Sequence, residues 1–427
     1  MVGTVESAFL LLLFIPALMG IIAGLSGRTG RMPGALCALS CLAGVLCYPV
    51  WMQCGDLSYT LPVGSYLGSY SLLFDQIGSL FVSFSSAVFL MIVVHMSHSG
   101  HGYTSRYTAL VSALFLAVML CMCADSAILL LMAWEAVSLV TFLLAANGKD
   151  ESARWRFFAI THIGGLVLMA AYAYMWCMAG SGTLHEWVGI GMIMDPAVCV
   201  ILGLCLFMGF GTKLGTVPFH AWMPDVYAES PTHTSALLTT VCSNAAILML
   251  FRAVFSYIGA ESIIAVGIVM CIMAVVSALW GAMESMVQKE PKRILAYSSQ
   301  ENMALVVMCF SLGILFSGES KGIMSLVIIA GLLHTLNHSV FKSLMMLTVD
   351  SVEDVTGERK IDRMGGLGRS LPGLSAVAFV GVASLAAIPP MNGFVSEWLM
   401  LQSLIGTDAV ASDLRVVMPL LIAMMGV

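Results

Sequence analysis

The stretch that decides the fold reads Gly211-Thr212-Lys213-Leu214-Gly215-Thr216-Val217-Pro218-Phe219-His220-Ala221-Trp222-Met223-Pro224. It follows the run 197–211, which contains no charged residue, so Lys213 lies at the buried end of an apolar helix broken by proline. A charged side chain at the centre of a membrane helix costs roughly 2.5–3.5 kcal/mol on insertion scales, and such residues commonly mark ion pathways. The stretch therefore predicts a membrane-spanning segment with a functional charge.

Two carboxylates interrupt other apolar segments. Glu135 lies near the middle of the run 128–146, and Glu397 follows the broken stretch Pro389-Pro390-Met391-Asn392-Gly393. A buried carboxylate beside Lys213 could share a proton with it, and lysine suits this exchange because arginine stays charged on burial. We predict that Glu135 and Lys213 approach within direct or one-water hydrogen-bonding reach. The alternative is a structural ion pair that fixes two helices.

A third segment carries His334, His338 and Lys342 at intervals of four residues. This spacing puts the three side chains on one helical face, and at 1.5 Å per residue they rise about 12 Å. Histidine titrates near neutral pH, so the face suits a stepwise proton wire linked by water. Two alternatives are a purely structural polar ladder and a zinc site, since two histidines one turn apart can bind zinc. The sequence offers no suitably spaced third ligand, and Lys342 would repel a cation.

The composition indicates a polytopic membrane protein. Hydrophobic residues make up 59% of the 427 and charged residues 10%, with a mean hydropathy of +0.97. Soluble domains carry about 25% charged residues, and an apolar run of roughly 20 residues spans a bilayer. We predict an all-α fold of about 13 transmembrane helices. The expected spans are 7–25, 34–53, 72–96, 107–124, 126–147, 157–179, 197–224 (broken), 233–256, 261–283, 294–316, 323–348, 372–402 (broken) and an incomplete run from 415.

Charge in the connections predicts the orientation. The connections after odd-numbered spans hold thirteen Lys and Arg residues, and the opposite connections hold two, Lys321 and Arg415. Because basic residues concentrate on the cytoplasmic side, the N-terminus is predicted to lie outside the cytoplasm. No basic region or small-residue cleavage site accompanies the segment 7–25, so it is expected to be a retained helix rather than a signal peptide.

The two broken segments predict an internal repeat. They occupy corresponding places in two groups of five helices, 107–257 and 258–427, which follow three N-terminal helices in 1–106. Five is odd, so the two groups would be antiparallel, as in transporters whose site lies near the middle of the membrane. The final run is too short for a span, and we expect the missing part to be supplied by other polypeptide.

Redox chemistry is not expected in this chain. The twelve cysteines are scattered singly, without a CxxC pair or ferredoxin spacing, which argues against an iron–sulfur cluster. The sequence also contains neither a GxxxxGK[ST] loop nor a strand-based GxGxxG. No cofactor site and no metal site is therefore predicted, and any electron transfer must take place in another polypeptide.

Several motifs resemble a known family. Ala133-Trp134-Glu135, the stretch 211–225, Pro231-Thr232-His233-Thr234-Ser235-Ala236-Leu237 and Lys292-Arg293-Ile294-Leu295-Ala296-Tyr297-Ser298 are similar to the antiporter-like membrane subunits of complex I and group 4 membrane-bound hydrogenases. Three features are most similar to the large membrane subunit of formate hydrogenlyase and hydrogenase-4 type complexes. They are the histidine–lysine face formed by His334, His338 and Lys342, the pair Glu301-Asn302, and the stretch 390–398. The resemblance covers roughly residues 70–405.

The resemblance implies a proton-translocating subunit of the inner (cytoplasmic) membrane that contains no redox centre. Its expected partners are protons or sodium ions, lipid, other membrane subunits and a peripheral arm with iron–sulfur and nickel–iron centres; no nucleic acid is expected. The positions that match translocation residues are Glu135, Lys213, His334, His338, Lys342 and Glu397. The possible accessory positions are Glu301, His220, His233, His162 and Asn244.

The accessory residues also have simpler interpretations. Glu301 could be a surface carboxylate near a helix end, and His162 and His220 could be histidines hydrogen-bonded within the bundle. Asn244 stands where many relatives carry a lysine, and asparagine cannot exchange a proton at physiological pH. His233 is eleven residues earlier on about the same face and lies roughly 16 Å away along the axis, so water would have to bridge the distance. Two alternatives to the proton-translocating subunit therefore remain, a subunit of a multi-subunit sodium/proton antiporter and a non-conducting structural subunit.

Overall fold

The computed structural model of the chain describes residues 2–27, 32–60, 70–99, 103–146, 150–318 and 321–405. These residues form a helical bundle with a single two-stranded hairpin. Within them, eleven helical segments are long and apolar enough to cross a membrane. The segment predicted at 372–402 consists of two short helices, and the run from 415 lies outside the described residues.

The N-terminal third contains the hairpin, which the sequence analysis did not predict. Strands β1 and β2 pair antiparallel with Leu57 opposite Phe74, in the connection between the second and third spans. Next to it, Asp75 caps α4 by accepting from the Gly78 amide at 2.9 Å and also pairs with Arg252. The elements are α1 Val2–Leu25, α2 Met32–Val45, α3 Cys47–Cys54, β1 Leu57–Thr60, β2 Ser71–Phe74, α4 Gln76–His98, α5 Ser105–Cys123 and α6 Ala127–Ala145.

The middle third contains the first broken helix. Asp195 caps the start of α8, and Gly215, with a φ of 67°, caps its end after Leu214. A 3₁₀ turn, Phe219–Trp222, follows. The next span combines α10 and α11 with two π-helical turns, Leu238–Cys242 and Arg252–Ile258. The helices are α7 Glu151–Ala179, α8 Pro196–Leu214, α9 Met223–Glu229, α10 Thr232–Leu237 and α11 Ser243–Phe251.

The C-terminal third contains the second break, between α16 and α17. Gly393 lies so close to the Ser384 carbonyl that an added Cβ would be 2.0 Å from the oxygen, which fixes the approach of the two short helices. Both breaks occur where the sequence predicted them, whereas the antiparallel repeat stays a prediction. The helices are α12 Ile264–Val287, α13 Pro291–Leu315, α14 Lys321–Thr356, α15 Leu367–Ser370, α16 Pro372–Leu385 and α17 Asn392–Ile405.

The centre of the bundle is formed by the span 232–258 and by α13. In each of these segments 94% of the most apolar window is buried, against 39% for the first span. The long helix α14 packs against α13, α10, α16 and α17. The polar side chains buried inside the protein, and so removed from lipid, include Asn244 on α11, Glu301 and Asn302 on α13, and His334, His338 and Lys342 on α14.

Candidate functional site

Lys213 contacts Trp134, the residue that precedes Glu135. The lysine lies in the last turn of α8, is 7% exposed, and donates from Nζ to the Trp134 carbonyl at 3.0 Å. The same ammonium lies 4.2 Å from the centroid of the Trp134 ring, a cation–π contact. Among the described residues no carboxylate forms a direct ion pair with Lys213, although Glu135 is near enough to act on it electrostatically.

Glu135 pairs with a histidine instead. Its Oε2 lies 3.3 Å from Nε2 of His162 on α7, and the His162 Nδ1 lies 3.0 Å from the Phe158 carbonyl. The predicted direct contact between Glu135 and Lys213 is therefore not formed. Consecutive helical residues point about 100° apart, so Trp134 faces α8 while Glu135 faces α7. A bridge through one water stays a prediction.

The Glu135 carboxylate occupies a space that only glycine leaves open. A Cβ added to Gly165 on α7 would lie 1.8 Å from the Glu135 Oε1. The side chains of Glu135 and His162 are 30% and 32% exposed in the isolated chain, so the pair sits at the edge of the bundle. The close approach of α6 and α7 positions this carboxylate.

Asn244 contacts α14 directly. Its amide nitrogen donates to the Ser85 hydroxyl at 3.0 Å, and its Oδ1 accepts from the Ser339 hydroxyl at 2.7 Å. All three residues are fully buried. Ser339 follows His338 in the sequence, so the Asn244 amide is hydrogen-bonded to the helix carrying the histidine–lysine face.

The three residues of that face are fully buried and lie in different environments. Lys342 donates to the Leu295 carbonyl at 3.2 Å, again without a direct ion pair among the described residues. His334 lies 3.0 Å from the Ser396 hydroxyl through Nδ1 and 3.0 Å from the Asn302 amide oxygen through Nε2. Within the described part of the chain, neither ring nitrogen of His338 has a hydrogen-bond partner.

Two carboxylates lie beside this face. Glu301 on α13 and Glu397 on α17 are each 8% exposed, so Glu301 is buried and is not a surface residue at a helix end. Glu301 is near enough to both Lys342 and Glu397 for electrostatic interaction. The structure therefore brings His334, His338, Lys342, Glu301 and Glu397 together where α13, α14 and α17 meet.

The chain is similar in sequence to known proteins. Residues 124–422 match the protein family described as NADH:quinone oxidoreductase/Mrp antiporter, TM. The chain belongs to this family. Over 391 residues it is 28% identical to formate hydrogenlyase subunit 3 of Escherichia coli (strain K12), covering 91% of this chain and 61% of that protein. Over 351 residues it is 32% identical to an uncharacterised protein of Mycobacterium tuberculosis (strain ATCC 25618 / H37Rv), covering 78% of this chain and 52% of that protein.

A similar fold is found among solved structures. The Mrp complex from Dietzia sp. DQ12-45-1b contains a chain with a TM-score of 0.85, 24% identity and coverage of 99% of this chain and 46% of that one. Similarity at this identity shows the fold. The chain thus has the antiporter-like membrane fold of the family, and it spans about half to three fifths of the length of the curated relatives named here.

Three accessory positions lie apart from one another. His162 is the partner of Glu135, whereas His220 lies in the 3₁₀ turn after the first break with its ring 5.9 Å from the Trp280 ring. His233 begins α10 at the other end of its span from Arg252, beside His95 and Asp350. A water-linked connection between His233 and Asn244 stays a prediction.

The neutral partners of the charged residues were not predicted from the sequence. Trp134, Ser339, Ser85 and Ser396 hold or connect the titratable groups, and none was selected from the sequence. Two of them had a weak signal in the sequence: Trp134 lies in a motif that resembles the family, and Ser339 is the neighbour of His338. Serine is common in membrane helices because its hydroxyl can donate to the carbonyl one turn earlier, so these positions give no distinct signal.

Proposed function

We propose that the chain is a proton-translocating membrane subunit of a complex I-like membrane-bound hydrogenase or formate hydrogenlyase-type complex. It would couple electron transfer in partner subunits, which would hold the iron–sulfur and nickel–iron centres, to proton movement across the inner (cytoplasmic) membrane. The observation that carries the proposal is the row of fully buried polar side chains on α11 and α14: Asn244, Ser339, Lys342, His338 and His334.

Both buried lysines have the same kind of surroundings. Lys213 and Lys342 each donate to a backbone carbonyl, and each has a carboxylate, Glu135 or Glu301, within electrostatic range but outside direct contact. A tight buried ion pair would hold its proton, because removing one charge leaves the other uncompensated. A lysine that donates only to a neutral carbonyl can release its proton without breaking a direct ion pair. It takes up a proton again when the nearby carboxylate is charged, because the negative charge stabilises the ammonium.

The histidines provide the continuation toward α17. His338 lies between Lys342 and His334, and His334 contacts both Asn302 and Ser396, the neighbour of Glu397. A buried imidazole without hydrogen-bond partners costs stability, and such groups in native structures call for an explanation. Transient proton transfer accounts for His338, since neutral imidazole can accept a proton from one side and donate from the other.

The choice of a hydrogenase-type complex is supported by the 28% identity to formate hydrogenlyase subunit 3 over nearly the whole chain. Purifying the tagged chain in mild detergent and identifying its partners by mass spectrometry tests this choice. Nickel–iron and iron–sulfur proteins among the partners are expected. A set of small membrane subunits alone would replace the hydrogenase proposal with a sodium/proton antiporter.

Translocation itself is tested in vesicles. With the complex reconstituted and a pH-sensitive dye enclosed, Lys342→Ala is expected to suppress proton uptake while the partner subunits stay bound. Lys360→Ala removes the same charge from an exposed loop and serves as the control. Native uptake in both Lys213→Ala and Lys342→Ala would favour the structural, non-conducting subunit.

A further inference from the structure

A second cluster of titratable groups lies away from the proposed proton route. His95 is in the last turn of α4, His233 is at the start of α10, and Asp350 is near the C-terminal end of α14. The side chains of His233 and Asp350 are fully buried, and that of His95 is 28% exposed. Three separate spans therefore meet at the end of the bundle that the Lys and Arg distribution predicts to face the cytoplasm.

Three atoms of this cluster converge on one point. Nδ1 of His95 lies 3.0 Å from Nε2 of His233, and these nitrogens lie 3.8 and 3.6 Å from Oδ2 of Asp350. The point equidistant from the three atoms is about 2.0 Å from each, which matches zinc–nitrogen and zinc–carboxylate distances of about 2.0–2.2 Å. We propose that His95, His233 and Asp350 bind a divalent transition-metal ion of the zinc class.

The outward nitrogens support this assignment. Nδ1 of His233 lies 2.8 Å from the Tyr103 hydroxyl, and Nε2 of His95 lies 3.2 Å from the Ser351 hydroxyl. Metal-binding histidines almost always donate their second ring N–H to an oxygen, which fixes the tautomer and turns the other lone pair toward the metal. The Tyr103 hydroxyl oxygen can accept this hydrogen bond.

Convergence of three acceptors calls for a positive charge between them. With both rings donating outward, two imidazole lone pairs and one carboxylate oxygen point at the same place, and a cation there relieves their repulsion. A proton on one of the two facing nitrogens, shared in a hydrogen bond between His95 and His233, is the competing occupant. Such a proton would form a hydrogen bond across the 3.0 Å between the two rings. It would not explain why Oδ2 of Asp350 lies 3.6 and 3.8 Å from the same two nitrogens, which is too far for a hydrogen bond.

The donor set selects the class of metal. Two imidazoles and one carboxylate suit zinc and the neighbouring late first-row ions, whereas magnesium and calcium prefer oxygen donors. Three protein ligands leave a fourth coordination position, which water occupies in the usual three-ligand zinc site. Within the described residues this is the one cluster of three histidine, cysteine or acidic side chains whose ligand atoms all lie within 4.8 Å of one another.

Metal titration of the purified complex tests the proposal. After chelator treatment and desalting, zinc or cobalt is added and the bound metal is measured per chain by elemental analysis. The native complex is expected to bind one ion more than His95→Ala or Asp350→Asn, and cobalt in that site is expected to give the visible bands of tetrahedral coordination. Equal metal content in the native complex and His95→Ala would overturn the proposal and leave the shared proton as the occupant.

A matched variant controls for general effects of removing a histidine. His98→Ala changes an exposed histidine at the same helix end whose Nδ1 lies 2.8 Å from the Val94 carbonyl of its own helix. It is expected to keep the ion and the cobalt spectrum, and loss of both would count against the proposed ligands. Because His95 is partly exposed, His95→Ala is expected to fold, and zinc should raise the melting temperature of the native complex but not of this variant. The titration involves no proton flux, so it is independent of the proposed function.

Discussion

Ser339 donates a hydrogen bond of 2.7 Å to the side-chain oxygen of Asn244, and this contact joins the deeply buried span 232–258 to α14 at the centre of the bundle. Ser339 lies between His338 and Lys342 in the sequence. The buried position of Asn244 is therefore connected to the histidine–lysine face by a neutral amide and a hydroxyl. Both groups can donate and accept hydrogen bonds, so the contact can order a proton path without holding a charge.

Removing this contact should destabilise the chain measurably. Asn244→Leu keeps most of the volume but removes the amide from the Ser85 and Ser339 hydroxyls, and the loss of a hydrogen bond typically costs about 0.5–1.5 kcal/mol. The Ser339 hydroxyl keeps the Thr335 carbonyl, at 3.1 Å, as an acceptor. Ser339→Ala removes the same bond from the other side, so the double variant should be less destabilised than the two single changes predict together. Thermal unfolding of the four proteins in detergent measures the coupling.

A neighbouring serine provides the control for this cycle. Ser343 is buried on the same helix, and its hydroxyl donates to the Val340 carbonyl at 2.9 Å. The effects of Ser343→Ala and Asn244→Leu should add. Additivity for Ser339→Ala as well would show that the contact with Asn244 contributes no stability.

Gly165 offers a way to displace Glu135 without changing its charge. Gly165→Ala puts a Cβ where the Glu135 Oε1 lies, so the carboxylate must move and its pairing with His162 should be lost. We expect proton uptake in vesicles to fall, with little change in the amount of assembled complex. Gly373→Ala makes the same change in α16, where an added Cβ meets no atom within 4 Å, and it should be silent. Native uptake in Gly165→Ala would show that Glu135 is not needed at its observed place.

Sequence alone predicted the features that depend on local pattern. The prolines after Gly215 and Ile388 interrupt helices because proline lacks an N–H, and both breaks are present. The spacing of His334, His338 and Lys342 placed them on one helix, and the structure buries all three. These predictions needed only the geometry of one helix.

Features that depend on how helices rotate against one another were not predictable in the same way. Glu135 was expected to face Lys213, but one step of helical rotation gives that place to Trp134 and directs Glu135 to His162. The contact between Asn244 and Ser339 joins residues 95 positions apart. A single sequence contains no direct record of such packing, and hydroxyl partners are too common in helices to stand out.

A substitution that keeps the positive charge at residue 342 should show whether Lys342 transfers protons or only supplies a fixed charge. Lys342→Arg keeps the positive charge, but arginine does not release its proton in proteins. If Lys342 must lose and regain a proton, uptake in vesicles should be abolished while complex assembly and the soluble redox reaction continue. His334→Ala should give the same result, because it removes the imidazole between Asn302 and Ser396.

The control for Lys342→Arg is the same change on the surface. Lys360 is exposed in the connection after α14, and Lys360→Arg should leave proton uptake unaltered. Pumping at the native rate in Lys342→Arg would mean that the residue supplies only a fixed charge. Native pumping in His334→Ala would mean that the proton route does not pass along this face of α14.

The substitution Asn244→Lys introduces the titratable group that the family resemblance leads us to expect at this position. The new ammonium would lie beside the Ser85 and Ser339 hydroxyls at the buried centre of the bundle, where a neutral amide now stands. If protons pass this point through hydroxyls and water, adding a group that stores a proton should change the rate of uptake in vesicles without changing partner binding. If the chain is a structural subunit, both Asn244→Lys and Lys213→Ala should leave proton uptake by the assembled complex at the native rate. Silence in both variants would therefore favour the structural role, and a change in either rate would place this chain on the proton route.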